Sequence, residues 1–257
     1  MTSPQIISSM IGMAESINTN DKAKEAALES AITALKTYDY GSDRYVLMPL
    51  DEAVRDSLSQ PKKRQQMEQQ LIKALGESPA NAAKEYICSK LMLVGSAASA
   101  PLLADLLSHS KLYHPACITL QAIGGNEVAR TLREKLMTAS GLSLLSIVTA
   151  LGQLRDNESV TSLARLLFNA DVQVVKAAAD ALGHIASNAS AKALLEFQPK
   201  APATLQQALC DACLVCAKQL AKHGDRNTAR QLCTQLVSDS TPSYIKVAAQ
   251  SALQALQ

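Results

Sequence analysis

The chain has 257 residues, of which 47% are apolar and only 3% aromatic, with no Trp and two Phe. Twenty-five basic and 23 acidic residues leave a formal charge of +2. That balance lacks the basic excess of a protein that lives by neutralising phosphates, and it weighs against a nucleic-acid binder. No apolar run reaches the ~18 residues of a membrane-spanning helix.

Composition also bounds the fold. A core this poor in rings must be built from Ala, Leu, Val and Ile. Such side chains let helices approach closely, and Ala and Leu are the best helix formers. Met1–Met10 lacks the basic segment and continuous apolar block of a secretory leader. The six cysteines do not space out as a disulfide framework. The expected compartment is the cytoplasm, or an extracytoplasmic one if the chain is a fragment of a secreted parent.

In chain order, Pro4–Ile17 and Asp21–Lys36 read as a first helical pair. Asp51–Leu58 and Lys62–Leu75 read as a second, with Pro61 at the N-terminal turn, where its missing N–H costs nothing. Between them lies Tyr38–Tyr45, which holds three of the six tyrosines. A motif of apolar residues followed by Gly then recurs at Gly95, Gly124, Gly152 and Gly183, about one helical pair apart.

Alignment on these glycines exposes one helical face. One position before them stand Val94, Ile123, Leu151 and Leu182. Four before stand Leu91, Leu120, Val148 and Ala179, and eight before stand Ile87, Ala116, Leu144 and Val175. All twelve are apolar at helical offsets, which predicts a buried face in each unit. Gly is expected to close each helix from a left-handed conformation. Second helices follow with Leu102, Leu103, Leu106 and Leu107, then Val128, Leu132 and Leu136, then Leu163, Leu166 and Leu167, then Ala191, Leu194 and Leu195. Asn126, Asn157 and Asn188 fall near their starts, and Asp171 opens Val172–Ile185 as a cap.

After the Pro199–Pro202 break, Thr204–Lys222 reads as one long helix. Arg226–Val237 and Ser243–Leu256 close the chain. No strand-like alternation competes. The reading is all-α: an α-solenoid of about six or seven antiparallel helical pairs in one array over 1–257. Divergent pairs occupy 1–80, regular repeats 81–198 and C-terminal helices 199–257.

The stretch Val174-Val175-Lys176-Ala177-Ala178-Ala179-Asp180-Ala181-Leu182-Gly183-His184-Ile185 resembles the short bacterial HEAT-like repeat also known from phycobilisome-lyase proteins. The likeness is good here and weaker in the three preceding units. Tyr38–Gly41, Cys88–Gly95 and Asp211–Ala217 are similar to HEAT modules of large bacterial multidomain proteins. The resemblance implies scaffolding or docking and no established chemistry. Bilin lyases and alkylpurine DNA glycosylases show that enzymes also use such scaffolds. The glycosylase type relies on aromatics in a basic cleft, which this composition does not supply.

Three positions before each glycine come Met92, Gln121, Thr149 and Asp180. One after come Ser96, Gly125, Gln153 and His184. These residues border the apolar face and form a candidate partner-binding ridge, with Gln121, Thr149, Asp180 and His184 as its core. Tyr38, Tyr40, Arg44 and Tyr45 form a candidate docking loop, since Tyr and Arg anchor interfaces at low entropic cost. The alternative is a structural corner with packed rings.

Cys210, Cys213 and Cys216 share one broad helical side, with Cys233 following. They fit core packing better than a thiolate metal site or a redox pair. His109, His114 and Cys117 lack diagnostic metal spacing. No P-loop, nucleophile elbow or zinc-protease helix occurs. The expectation is a non-enzymatic docking module, with no catalytic residue, metal or cofactor assigned. Its partner is another protein or an adjacent domain of a larger parent.

Overall fold

A computed structural model describes residues 21–237, 241 and 243–255; the helix expected over Pro4–Ile17 lies outside them. Among the described residues there are fourteen α-helices and no strand. They are α1 (21–34), α2 (Met48–Ser57), α3 (Pro61–Glu77), α4 (Asn81–Val94), α5 (Ala100–Leu106), α6 (Tyr113–Ile123) and α7 (Gly125–Leu136). They continue as α8 (Gly141–Gln153), α9 (Val160–Leu166), α10 (Val172–Ile185), α11 (Asn188–Phe197), α12 (Ala203–Lys222), α13 (Arg226–Gln235) and α14 (Ser243–Ala255). Internal packing divides the chain into two compact units, residues 1–102 and 103–257.

In the first unit, Leu50 and Val54 of α2, Leu71 and Leu75 of α3, and Ile87 and Leu91 of α4 are buried together. Pro61 sits at the first turn of α3, as its missing N–H dictates. Two polar residues one turn apart on α3 fasten the turn between α4 and α5. Arg64 Nε donates to the Val94 carbonyl at the end of α4, 3.1 Å away. Glu68, only 4% exposed, accepts from the Ser96 N–H at 2.7 Å, the Ser96 hydroxyl at 2.9 Å and the Ser99 hydroxyl at 2.6 Å. A cation thus meets the carbonyl end of one helix and an anion meets the N–H end of the next segment.

The second unit is a row of hairpins. The first helices stack in order, α6 on α8, α8 on α10 and α10 on α12, while α9, α11 and α13 form the second layer. This is the α-solenoid expected from the repeat. Eleven of the twelve aligned apolar residues are buried, and Ile123, the last residue of α6, is half-buried.

The glycines work differently from the expectation. Of the four only Gly124 has a positive φ (+67), and its extended ψ of −167 sets it apart from a left-handed helical residue. Gly95 ends α4 with extended backbone. Gly152 and Gly183 lie inside α8 and α10. A Cβ on Gly152 would stand 2.6 Å from Ala181 Cα, and one on Gly183 would stand 2.8 Å from the Ala212 carbonyl oxygen. These two glycines are where one helix rests on the backbone of the next. The left-handed residues come three positions later, at Arg155 (φ 53) and Ala186 (φ 50). After α8, Arg155 N–H bonds to the Gly152 carbonyl and Asp156 N–H to the Leu151 carbonyl, the paired closure of a Schellman turn.

The caps divide in the same way. Asp171 accepts from the Gln173 N–H at 2.8 Å, as expected. Asn126, Asn157 and Asn188 are not the caps. Gly124 precedes α7, Asp156 precedes the 3-10 turn Asn157–Ser159, and the Ser187 hydroxyl receives the Ser190 N–H at the start of α11.

Candidate interaction surfaces

In the first unit, the loop expected to dock a partner folds back onto α4. Tyr38 packs its ring against Tyr86, with centroids 6.3 Å apart. The Tyr40 hydroxyl donates to Glu85 at 2.6 Å, a bond that raises the Tyr40 pKa. Arg44 lies over the Tyr86 ring and reaches Asp51 at 3.5 Å. The Tyr86 hydroxyl donates to Asp51 at 2.8 Å, and Lys90 pairs with the same carboxylate at 2.7 Å. Burial pushes the Asp51 carboxyl up, but the Lys90 and Tyr86 bonds outweigh it and hold the carboxyl below its usual range. Burial, then the hydrogen bond to Asp51 and its charge, pushes the Tyr86 phenol far up. Tyr38, Tyr40 and Arg44 are thus tied to α2 and α4, while Tyr40 and Tyr45 remain 65% and 76% exposed.

In the second unit, the ridge residues occupy equivalent positions on neighbouring helices: Gln121 on α6, Thr149 on α8 and Asp180 on α10. Gln121 is half-buried, while Thr149 and Asp180 are exposed. The contacts extend the series. Gly152 meets Ala181 and Gly183 meets Ala212, so Ala212 repeats Ala181 and Asp211 on α12 repeats Asp180. Burial against the packed helices pushes both carboxyls up, and the Asp211 charge raises Asp180 further while His184 lowers it. His184, half-buried at the end of α10, lies beside this acidic end. Tyr244 on α14 feels the Asp211 charge as well. Of the other ridge positions, Ser96 is committed to Glu68, Gly125 opens α7 and Gln153 ends α8.

The cysteines are interior. Cys117 donates to the Ser146 carbonyl at 3.1 Å, bridging α6 and α8. Cys210, Cys213, Cys216 and Cys233 are buried. Burial pushes the Cys117 and Cys216 thiols up to about 12 and raises Cys210, Cys213 and Cys233 too. His109 uses Nδ1 to accept from the Lys111 N–H, and His114 is exposed with its ring against Tyr113. Among the described residues no three His, Cys, Asp or Glu side chains converge as a metal site requires.

The thiols set an alkaline limit. Their folded pKa values lie above the ordinary 9.0. Unfolding above that pH releases protons, so stability is full below it and falls as pH rises towards the folded values. The loss is about 1.4 kcal/mol per pH unit for each such thiol. Denaturation at pH 8 and pH 10 should show it, and Cys213→Ala with Cys216→Ala should flatten the slope.

Shallow grooves also mark the unit, among them one of about 670 Å³ along α13 beside Arg230 and Thr234. Another of about 280 Å³ lies beside Arg155 and Asp156. A third, of about 400 Å³, lies between α11 and α13. Arg155 also spans two repeats, reaching His223 at 2.8 Å and Gln219 at 2.9 Å.

Asp51, Glu85, Tyr86 and Lys90 escaped the sequence reading because nothing local ties them to Tyr38–Tyr45. Asp211 escaped it because α12 has Leu214 where the earlier repeats have the aligned glycine. No helix of the described residues is long and apolar enough to cross a membrane.

No family model matches the chain, and no curated protein does. Among solved structures, an engineered protein is similar over 72% of this chain and 94% of its own, at 20% identity and a TM-score of 0.44. A designed armadillo repeat protein in complex with a (KR)4 peptide is similar over 90% and 99%, at 17% identity and 0.42. Human deoxyhypusine hydroxylase in complex with glycerol is similar over 92% and 98%, at 14% identity and 0.34. The chain is a helical repeat protein.

Proposed function

We propose that the chain is a non-enzymatic scaffold that holds an extended segment of another protein across Gln121, Thr149, Asp180 and Asp211. One position repeated on four stacked helices carries this reading. Packed helices stand 8–10 Å apart, so the four side chains form a regular ladder. Its Asp180 and Asp211 end suits a segment bearing Lys or Arg at matching spacing. Carboxyls already partly withdrawn from water gain most from a cationic partner. His184 borders the acidic end, and Tyr45 in the first unit offers a separate aromatic anchor. The finer likeness to the short bacterial HEAT-like repeat belongs to the same reading and rests on Val174–Ile185.

The test is fluorescence anisotropy with a labelled, extended peptide carrying regularly spaced lysines. Asp180→Asn with Asp211→Asn should weaken binding by about tenfold or more and reduce its salt dependence. Equal binding by the parent and the double variant, or equal binding of a peptide with Glu in place of Lys, would overturn the proposal.

A further inference from the structure

The two ends of the hairpins in the second unit differ. At one end, the second helix of a pair hands over to the first helix of the next. Large apolar side chains stand out there: Met137 after α7 at 75% exposure, Leu142 in the first turn of α8 at 62%, Phe168 after α9 at 67%, and Val172 at the start of α10. At the other end, in the turns within pairs, no large apolar residue is exposed. Phe168 is held in place, its ring meeting that of buried Phe197 edge-on with centroids 5.0 Å apart.

The two ends differ in how their charges are engaged, not in total charge. The turns bearing the apolar tips, with their neighbours on either side, carry Lys111, Lys135, Arg165 and Lys200 against Asp105, Glu134, Asp171 and Glu196, and Glu196 pairs with Lys192. Asp171 is occupied in capping α10, and Lys135 pairs with Asp105 of α5. Lys111, Arg165 and Lys200 form no ion pair among the described residues. The opposite end carries Glu127, Asp156, Glu158 and Asp225 against Arg155, Lys222 and Arg226.

We propose that the Met137–Leu142–Phe168–Val172 end of the second unit docks on an anionic lipid surface. The apolar tips enter the boundary between headgroups and acyl chains, and the cations beside them meet lipid phosphates. The tips come two each from two separate turns and line none of the unit's grooves. A protein partner needs a pocket for each protruding side chain, whereas a fluid interface moulds around all of them. Such binding needs no spanning helix, only apolar area backed by positive charge.

Vesicle flotation tests this with the full chain. The probes are phosphatidylcholine vesicles with and without about one-third phosphatidylserine. The chain should float with the anionic vesicles only, and less so at high salt. Met137→Ser should lower partitioning several-fold, and Met137→Ser with Phe168→Ser by about tenfold or more. Arg165→Glu with Lys200→Glu should lower it by a similar factor. Circular dichroism checks that each variant is folded, and the single Met137 change carries the test if loss of the Phe197 contact unfolds the double variant. No flotation with anionic vesicles would overturn the proposal, as would flotation indifferent to Met137→Ser. A concentration-dependent dimer in analytical ultracentrifugation that Met137→Ser abolishes would also overturn it, assigning the tips to self-association.

Discussion

Gly152→Ala is expected to destabilise the second unit by about 2–3 kcal/mol. In most helix interiors the same change gains about 1 kcal/mol, because Ala restricts the unfolded chain and Gly does not. Here the new methyl would lie 2.6 Å from Ala181 Cα and 2.8 Å from Ala181 Cβ. Backbone cannot rotate away as a flexible side chain can, so α8 and α10 must move apart and lose contact along their shared face. Gly183→Ala should behave alike against Ala212. Gly76 in α3 is the control, since nothing lies within 4 Å of its added Cβ; Gly76→Ala should stabilise by about 0.5–1 kcal/mol. Urea denaturation of the three variants checks the set. A midpoint for Gly152→Ala equal to or above the parent's would show that the helices separate without cost.

Glu68→Ala should cost about 2–4 kcal/mol in the first unit. The carboxylate gathers the Ser96 N–H and the hydroxyls of Ser96 and Ser99 within 2.6–2.9 Å, in a buried setting. Removing it strands those donors and opens a void beside them. Glu68→Gln keeps the shape but turns an amide N–H₂ towards groups that donate, so it should cost part of the same amount. Thermal melts give the magnitude, and hydrogen exchange at the Ser96 amide locates it. Unchanged Ser96 exchange in Glu68→Ala would mean that water replaces the carboxylate freely.

The buried face was legible because it repeats at helical offsets, and eleven of its twelve residues are inside. The glycine role was misread because a helix-ending Gly and a contact Gly share the same local pattern, two apolar residues before the Gly. The distinguishing signal stands just after it. Leu154 and Ile185 keep a large apolar residue two positions beyond Gly152 and Gly183, whereas the small Ala97 and the polar Asn126 hold that place after Gly95 and Gly124. The aromatic loop was visible as a cluster of rings. Its contacts were not, because the groups involved, Asp51, Glu85, Tyr86 and Lys90, lie on α2 and α4 and no local spacing points to them. The ridge was found as far as the glycine anchor ran and was lost at α12, where Leu214 replaces it.

The Gly152–Ala181 and Gly183–Ala212 contacts also shape the mechanics of the second unit. Along α8, α10 and α12 main chain already touches main chain, which leaves that side no slack. The opposite side retains free space, as between α11 and α13. Thermal motion can therefore hinge the row open about its tight side, like a book about its spine, but has a hard stop in the other direction. The rungs Thr149, Asp180 and Asp211 ride on that spine, so their separation stays nearly constant while the far side breathes.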